Sequence, residues 1–223
     1  MNITETIFNE SLFFLRDYIN RHCIVRNTRM KGKAPGTFYT WQFYLRRGLF
    51  NATFLQHLSI CFVYTIRKDI GHFNFQLAGM ETASTPMLSA LPILVQPYGI
   101  SLNAFSIRKE RKEYGLRNWI EGMPNDLPVV LIDDLSNSQA SMANAYQILK
   151  NESIDCLPNT FTIVNKTYAG QEITDKYLPL HFTHSYLFTL QDFLLALRYD
   201  EQRPIEEVLQ EYYAATSNDS IKL

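Results

Sequence analysis

No stretch of this chain is apolar for the roughly 20 consecutive residues that a membrane span requires, so no membrane-spanning segment is expected. The N-terminus carries Glu5 and Glu10 and no basic leader, which argues against a signal peptide. Cysteine is scarce: Cys23, Cys61 and Cys156 are three in number, far apart and without metal-ligand spacing. That excludes a disulfide scaffold and a thiolate metal site, and leaves the expectation of reduced, half-buried thiols in a cytoplasmic protein. The sequon Asn51-Ala-Thr then carries no meaning. Net charge is also missing: a formal charge of −1 provides no global basic field for nucleic acid or an anionic membrane. There is no internal repeat and no low-complexity linker. What is present is 223 residues with 46% hydrophobic and 13% aromatic content, enough to bury a core in one domain with a small appendage.

The most informative stretch spans residues 129–149. Val129-Val-Leu-Ile is a run of four apolar residues, three of them β-branched, and reads as a strand buried on both faces of a parallel sheet. Asp133 and Asp134 stand where that strand should end. Small polar residues follow from Ser136 to Ser141, and then Met142, Ala145, Tyr146 and Leu149 recur on one face of a predicted helix. Acids at the carboxyl end of a strand, ahead of a helix N-terminus, mark the place where open α/β sheets bind ligands. Free N–H groups at the helix start suit a phosphate. The plainer alternative is an ordinary strand-loop-helix unit in which Asp134 or Ser136 caps the helix.

Elsewhere the pattern predicts a helix over 3–20 capped by Thr4, with Ile7, Leu12, Phe13, Leu15 and Ile19 as its apolar positions, and a basic loop over 27–36. An aromatic strand is expected over 37–44, a helix over 51–69 and a short strand over 73–77. The small residues of 78–91 then separate that strand from a helix with Pro86 in its first turn. Further strands are expected at 100–107, 161–164 and 186–190, a helix over 190–197 with Asp192 in its first turn, and a frayed tail from 206. Strands alternating with helices argue one α/β domain with a mainly parallel sheet.

Residues 108–117 hold five basic and two acidic side chains, a local charge of +3. Alone, such a run is a solvated helix or loop. Just upstream of an acidic strand end and a phosphate-ready helix, it makes half of a polyanion site.

With these loops together, the chain resembles the type I phosphoribosyltransferases, and within them the orotate phosphoribosyltransferases. Val129 to Ser141 is similar to the family's motif for 5-phosphoribosyl 1-diphosphate (PRPP). Phe105-Ser-Ile-Arg-Lys-Glu-Arg-Lys-Glu-Tyr-Gly115 is similar to the charged loop of the orotate branch. Gly79-Met-Glu-Thr-Ala-Ser-Thr-Pro86 resembles the pyrophosphate loop, and Leu187 to Leu194 the C-terminal strand-to-helix segment. The likeness spans residues 30–198. It implies a Rossmann-like, mainly parallel sheet flanked by helices, with a small hood made by N- and C-terminal segments. The corresponding division is an N-terminal helix and hood (1–45), a core (46–198) and a tail (199–223).

The resemblance also implies a reaction: transfer of ribose 5-phosphate from PRPP to a base, with release of pyrophosphate. The residues carried over as PRPP-binding are Arg108, Lys109, Lys112, Asp133, Asp134, Leu135, Ser136, Asn137, Ser138, Gln139, Ala140 and Ser141. Met80, Glu81, Thr82 and Ala83 fall on the pyrophosphate loop and Lys166 at the base. Asp134, Lys112 and Tyr114 take the catalytic positions. Mg²⁺ is implied as a substrate-bridged cofactor with no protein ligand assigned, and a homodimer is implied by a charged loop that closes over the neighbouring subunit's site.

Several positions depart from the family. Tyr114 replaces a histidine, Asn137 and Gln139 replace threonine and glycine, Ala83 and Ser84 replace glycines, and Lys166 replaces an arginine. Glycine lets backbone approach a phosphate or take positive φ without strain, and lysine is a point charge rather than a fork. A second reading follows, of a PRPP- or nucleotide-binding regulatory protein of the same fold. Nucleic-acid binding through Arg26 to Lys33 with Tyr39 and Trp41 is a third and weaker one.

Overall fold

The computed structural model of the protein describes residues 3–31, 38–111, 118–137, 139–166 and 182–193. Helix α1 (Glu5–Tyr18) begins where Thr4 is extended and its Oγ1 accepts the Ile7 N–H at 3.3 Å, the cap the sequence predicts. Its inward face is rotated from the expected one. Leu15 and Ile19 are fully buried and Phe8 and Leu12 pack beside them, whereas Phe13 is 64% exposed under the Arg16 guanidinium. Positions 8, 12, 15 and 19 share one stripe at 3.6 residues per turn; position 13 lies off it.

A π-helical turn (Ile19–Cys23) leads into β1 (Ile24–Lys31), which pairs antiparallel with β2 (Phe38–Phe43). The basic loop expected from Asn27 is therefore strand as far as Lys31. Pairing with aromatic-rich β2 decides the backbone there, and local composition does not record that partner. After the short α2 (Arg46–Leu49) comes α3 (Ala52–Asp69), capped by Asn51, whose Oδ1 accepts the Phe54 N–H at 3.0 Å.

The sheet strands follow as β3 (Gln76–Met80), β4 (Ala104–Ile107), β5 (Ile120–Glu121), β6 (Val129–Ser136), β7 (Cys156–Asn165) and β8 (Thr183–Thr189). Helix α4 (Thr85–Leu94) lies between β3 and β4 with Pro86 in its first turn, and α5 (Ala140–Asn151) lies between β6 and β7. The order across the sheet is β5-β4-β3-β6-β7-β8, parallel everywhere except β5. The α/β class, the parallel sheet and the flanking helices agree with the sequence reading. A 3₁₀ turn (Leu190–Phe193) stands where the 190–197 helix was expected to start; the rest of that helix, Gly170 and the 206–223 tail lie outside the described residues.

Alternation in the strands divides the core. Leu77, Val130, Ile132 and Ile163 join the large cluster under α1, α3 and α4, while Ala78, Met80, Val129 and Leu131 meet Ala145, Ile148 and Leu149 of α5. This is why four consecutive apolar residues of β6 are all needed: both faces of the strand are covered. Among the described residues, no helix is long and apolar enough to cross a membrane.

Opposite the carboxyl edge, fully buried Gln76 ties down the 122–128 segment. Its Nε2 donates to the carbonyls of Asn125 (2.8 Å) and Leu127 (2.6 Å), and its Oε1 accepts from Asn103 Nδ2 (2.9 Å) and the Asn125 N–H (3.0 Å). Gln76→Leu keeps the volume and orphans four polar partners, so it is expected to lower stability by about 2 kcal/mol or more in urea denaturation. Unchanged stability would show the network to be dispensable.

Candidate functional site

Because β4, β3, β6 and β7 are parallel neighbours, their carboxyl ends line one edge, and the chain departs from β3 to opposite sides to form β4 and β6. Such a switch point is where an open α/β sheet leaves a crevice. Here β3, β6 and α5 pack together through Gly79, Met80, Leu131, Ile132, Asp133, Ser141, Met142 and Ala145, with no room for a water molecule between them.

Asp133 and Asp134 stand on β6 at this edge. The strand does not stop at them as expected but runs to Ser136, since the longer β7 continues the ladder through Leu135–Val164 and Ser136–Asn165. The Asp134 N–H donates to Asp133 Oδ1 at 2.9 Å, and the two carboxyls are close enough to act on each other's ionisation. Burial, and then the Asp134 charge, push the Asp133 carboxyl up to about 7 against the pull of Lys109. Burial also raises Asp134, opposed by its hydrogen bonds and by the Arg46 guanidinium. Two neighbouring buried carboxyls, both raised above their ordinary range, form a site that lacks positive charge.

The pyrophosphate-loop candidates stand beside the acids. Met80 ends β3, and Glu81 N–H reaches the Ile107 carbonyl of β4 at 2.8 Å, with a cis peptide between Glu81 and Thr82. The Glu81 carboxylate accepts the Lys109 N–H at 3.2 Å, which ties this loop to the exit of β4. Ser84, fully buried, donates to the Met80 carbonyl at 2.6 Å and closes over Gly79. A Cβ on Gly79 would come within 2.4 Å of the Ile132 carbonyl and 2.6 Å of Ser84 Oγ, so only glycine fits under this loop.

At the other end of β6, neither Asp134 nor Ser136 caps α5. Gln139 occupies the N-cap with left-handed backbone (φ 59°, ψ 4°), and its side chain makes no capping hydrogen bond. For a non-glycine residue that conformation costs of order 1 kcal/mol. The first ladder bond runs from Ala143 N–H to the Gln139 carbonyl at 2.9 Å, so the N–H groups of Ala140, Ser141 and Met142 precede the ladder. They form an anion-ready terminus.

The edge thus gathers Lys109, Glu81, Asp133, Asp134, Ser136, Gln139 and Ser141. Arg108, expected beside them, pairs with Glu121 of β5 at 2.5 Å instead. Lys166 extends the β7 exit: its N–H donates to the Ser136 carbonyl at 2.7 Å, and its Nζ lies 5.4 Å from the Trp41 ring centroid. Trp41 also meets Phe43 edge-on at 5.6 Å, which gives the hood tryptophan a packing role. Thr82 and Ala83 complete the turn after β3, Leu135 pairs within the ladder, Asn137 is half-buried, and Ala140 is the exposed first residue of α5. Lys112, Tyr114 and Ser138 lie outside the described residues. Arg46 was missed by the sequence reading; its only sequence signal is the Arg46-Arg47 pair just after the aromatic strand, which composition alone does not link to a remote acid.

No family model matches the chain. It is 27% identical over 126 residues to an orotate phosphoribosyltransferase of Bradyrhizobium sp. (54% of this chain, 64% of that protein) and 26% identical over 112 residues to the one of Methanocaldococcus jannaschii (50% and 60%). The matched part therefore spans about three-fifths of these relatives. Among solved structures, a Mycobacterium tuberculosis orotate phosphoribosyltransferase superposes with a TM-score of 0.65 at 18% identity, over 82% of this chain and 98% of that one. A Corynebacterium diphtheriae phosphoribosyltransferase gives 0.64 at 17% over the same shares. The M. tuberculosis enzyme in complex with PRPP gives 0.58 at 14%, covering 85% and 93%. The chain has the type I phosphoribosyltransferase fold, and its sequence likeness runs to the orotate enzymes.

The carboxyl pair makes stability depend on pH with a definite sign. Asp133 has a folded-state pKa of about 7, above its ordinary 3.8, so its contribution is full below about 4 and is lost as pH rises through 7. Asp133→Asn removes that loss. Its melting temperature should exceed the wild type's most at pH 8, with the gap closing toward pH 4. A gap that is constant with pH would contradict the raised Asp133 carboxyl.

Proposed function

We propose that the protein is a phosphoribosyltransferase that moves ribose 5-phosphate from PRPP to a base of the orotate type, or to an altered acceptor, and releases pyrophosphate. The observation that carries this reading is the carboxyl pair at the end of β6, directly ahead of a helix N-terminus that the Gln139 side chain does not cap. In the reaction the C1–O bond to pyrophosphate breaks, the leaving group keeps the electron pair, and a base nitrogen forms the new C1–N bond. That requires support for positive charge at C1 and for negative charge on the leaving group.

Each requirement has a candidate in this chain. The 5′-phosphate sits on the N–H groups of Ala140, Ser141 and Met142. Asp133 and Asp134 hold the ribose hydroxyls, and ionised carboxylate there supports positive charge at C1. Lys109 faces the pyrophosphate, held near the Met80–Ala83 turn through Glu81. Arg108 contributes by exchanging Glu121 for the leaving group, and Lys112 and Tyr114 complete the loop in this reading. Lys166 and Trp41 face the acceptor base. The reading includes a homodimer, in which the charged loop closes on the partner's site.

Among the described residues no group of three or more His, Cys, Asp or Glu could hold a metal, so the Mg²⁺ of this reading would be held by substrate oxygens and water, with no protein ligand assigned. When bound, it neutralises charge on the departing pyrophosphate.

A second reading, a regulatory protein that binds PRPP or a nucleotide without turnover, is favoured by Gln139 in the phosphate loop and by Lys166 engaged on Trp41. One assay separates the two. With PRPP, Mg²⁺ and a panel of bases, Mg²⁺-dependent pyrophosphate release is expected, reduced about 100-fold or more in Asp134→Asn and abolished by EDTA. Release that persists unchanged in the variant would overturn the site assignment. Calorimetric PRPP binding with no turnover for any base would establish the second reading.

A further inference from the structure

Gln139 carries two uncompensated burdens. Its backbone is left-handed, and its side chain is only 6% exposed, with no hydrogen-bond partner for Oε1 among the described residues. Ser136, three residues earlier, is 7% exposed, and its Oγ likewise has no partner among the described residues. Between them the loop leads into the free N–H groups at the start of α5. Buried polar atoms are nearly always paired, so two orphans in one loop at a helix mouth point to a missing ligand.

The chemistry of the loop identifies that ligand's contact. Free helix N–H groups and a serine hydroxyl are donors, which suit phosphoryl oxygens. A carboxamide presents either its oxygen or, turned by 180°, its NH₂ at the same place. We propose that Gln139 is a specificity-determining residue whose side-chain carboxamide donates an Nε2–H to a bound phosphate monoester, alongside Ser136 Oγ–H and the α5 N–H groups. The proposal rests on the phosphoribosyl reading and deepens it. The side-chain donor takes over part of what close backbone approach does where a glycine stands. It also favours a terminal phosphate over an unphosphorylated sugar. The rival is a plug that only narrows the cradle. An apolar side chain of that size would fill the space without orphaning a polar atom, whereas the carboxamide, turned so that Nε2–H takes the orphaned place, is satisfied when a donor-seeking phosphate arrives.

The test is calorimetric titration, in phosphate-free buffer, of wild type, Gln139→Gly and Gln139→Leu with ribose 5-phosphate, ribose and pyrophosphate. Gln139→Gly relieves the left-handed strain and Gln139→Leu keeps the bulk, so each variant separates donor from plug. Both variants should bind ribose 5-phosphate about ten-fold or more weakly, as expected for loss of a charge-assisted hydrogen bond. Their pyrophosphate affinity should stay within about two-fold, that ligand meeting other loops, and ribose should bind none of the three measurably. Tighter binding by the glycine variant, or unchanged binding by the leucine variant, would overturn the proposal and leave the phosphoribosyl reading standing. A wild type that does not bind ribose 5-phosphate at all would overturn both.

Discussion

Burial of two neighbouring carboxyls near the carboxyl end of a packed strand, reinforced at Asp133 by the Asp134 charge, is the constraint on which this site depends. β6 is held by β3 and β7 and packed on both faces, so Asp133 and Asp134 cannot move apart to relieve it. Both stay raised above the usual carboxylate range, opposed by cations from elsewhere in the chain, Lys109 after β4 for Asp133 and Arg46 in α2 for Asp134. Positive charge arriving beside them lowers the cost of ionising them. That is the electrostatic character a reaction with cationic development at a sugar carbon calls for.

The surrounding loops transmit the same constraint. Gly79 lets the turn after β3 pass close beneath Ser84 and against β6, and Glu81 bridges that turn to Lys109. The pyrophosphate-loop candidates and the charged-loop base are thereby set next to the acids by the strand order alone. The departures from the resembled pattern fall at Ala83 and Ser84 in the turn after β3, at Tyr114, at Asn137 and Gln139 ahead of α5, and at Lys166.

Sequence reading reached the sheet and the acids because their signals are local. Four apolar residues followed by two aspartates, small residues and a helical stripe state β6, its site and α5 within 21 residues. It missed what depends on remote partners. β1 is strand because β2 pairs with it, β6 passes its acids because β7 is long, and Gln76 is buried because Asn103 and Asn125 satisfy it. Arg46 and the Arg108–Glu121 pair escaped for the same reason, since charge partners across the fold leave no periodicity in the chain. The capping role offered to Asp134 or Ser136 failed because the helix starts later, at a left-handed Gln139 whose conformation no composition rule for glutamine predicts.

The central claim is that β6 and α5 together form a sugar-phosphate site, and a crystal structure with PRPP and Mg²⁺ soaked in tests it most directly. The account predicts the 5′-phosphate on the N–H groups of Ala140, Ser141 and Met142, with the ribose hydroxyls on Asp133 and Asp134. A ligand bound elsewhere on the molecule, with the acids and the α5 terminus left bare at saturating PRPP, would contradict it.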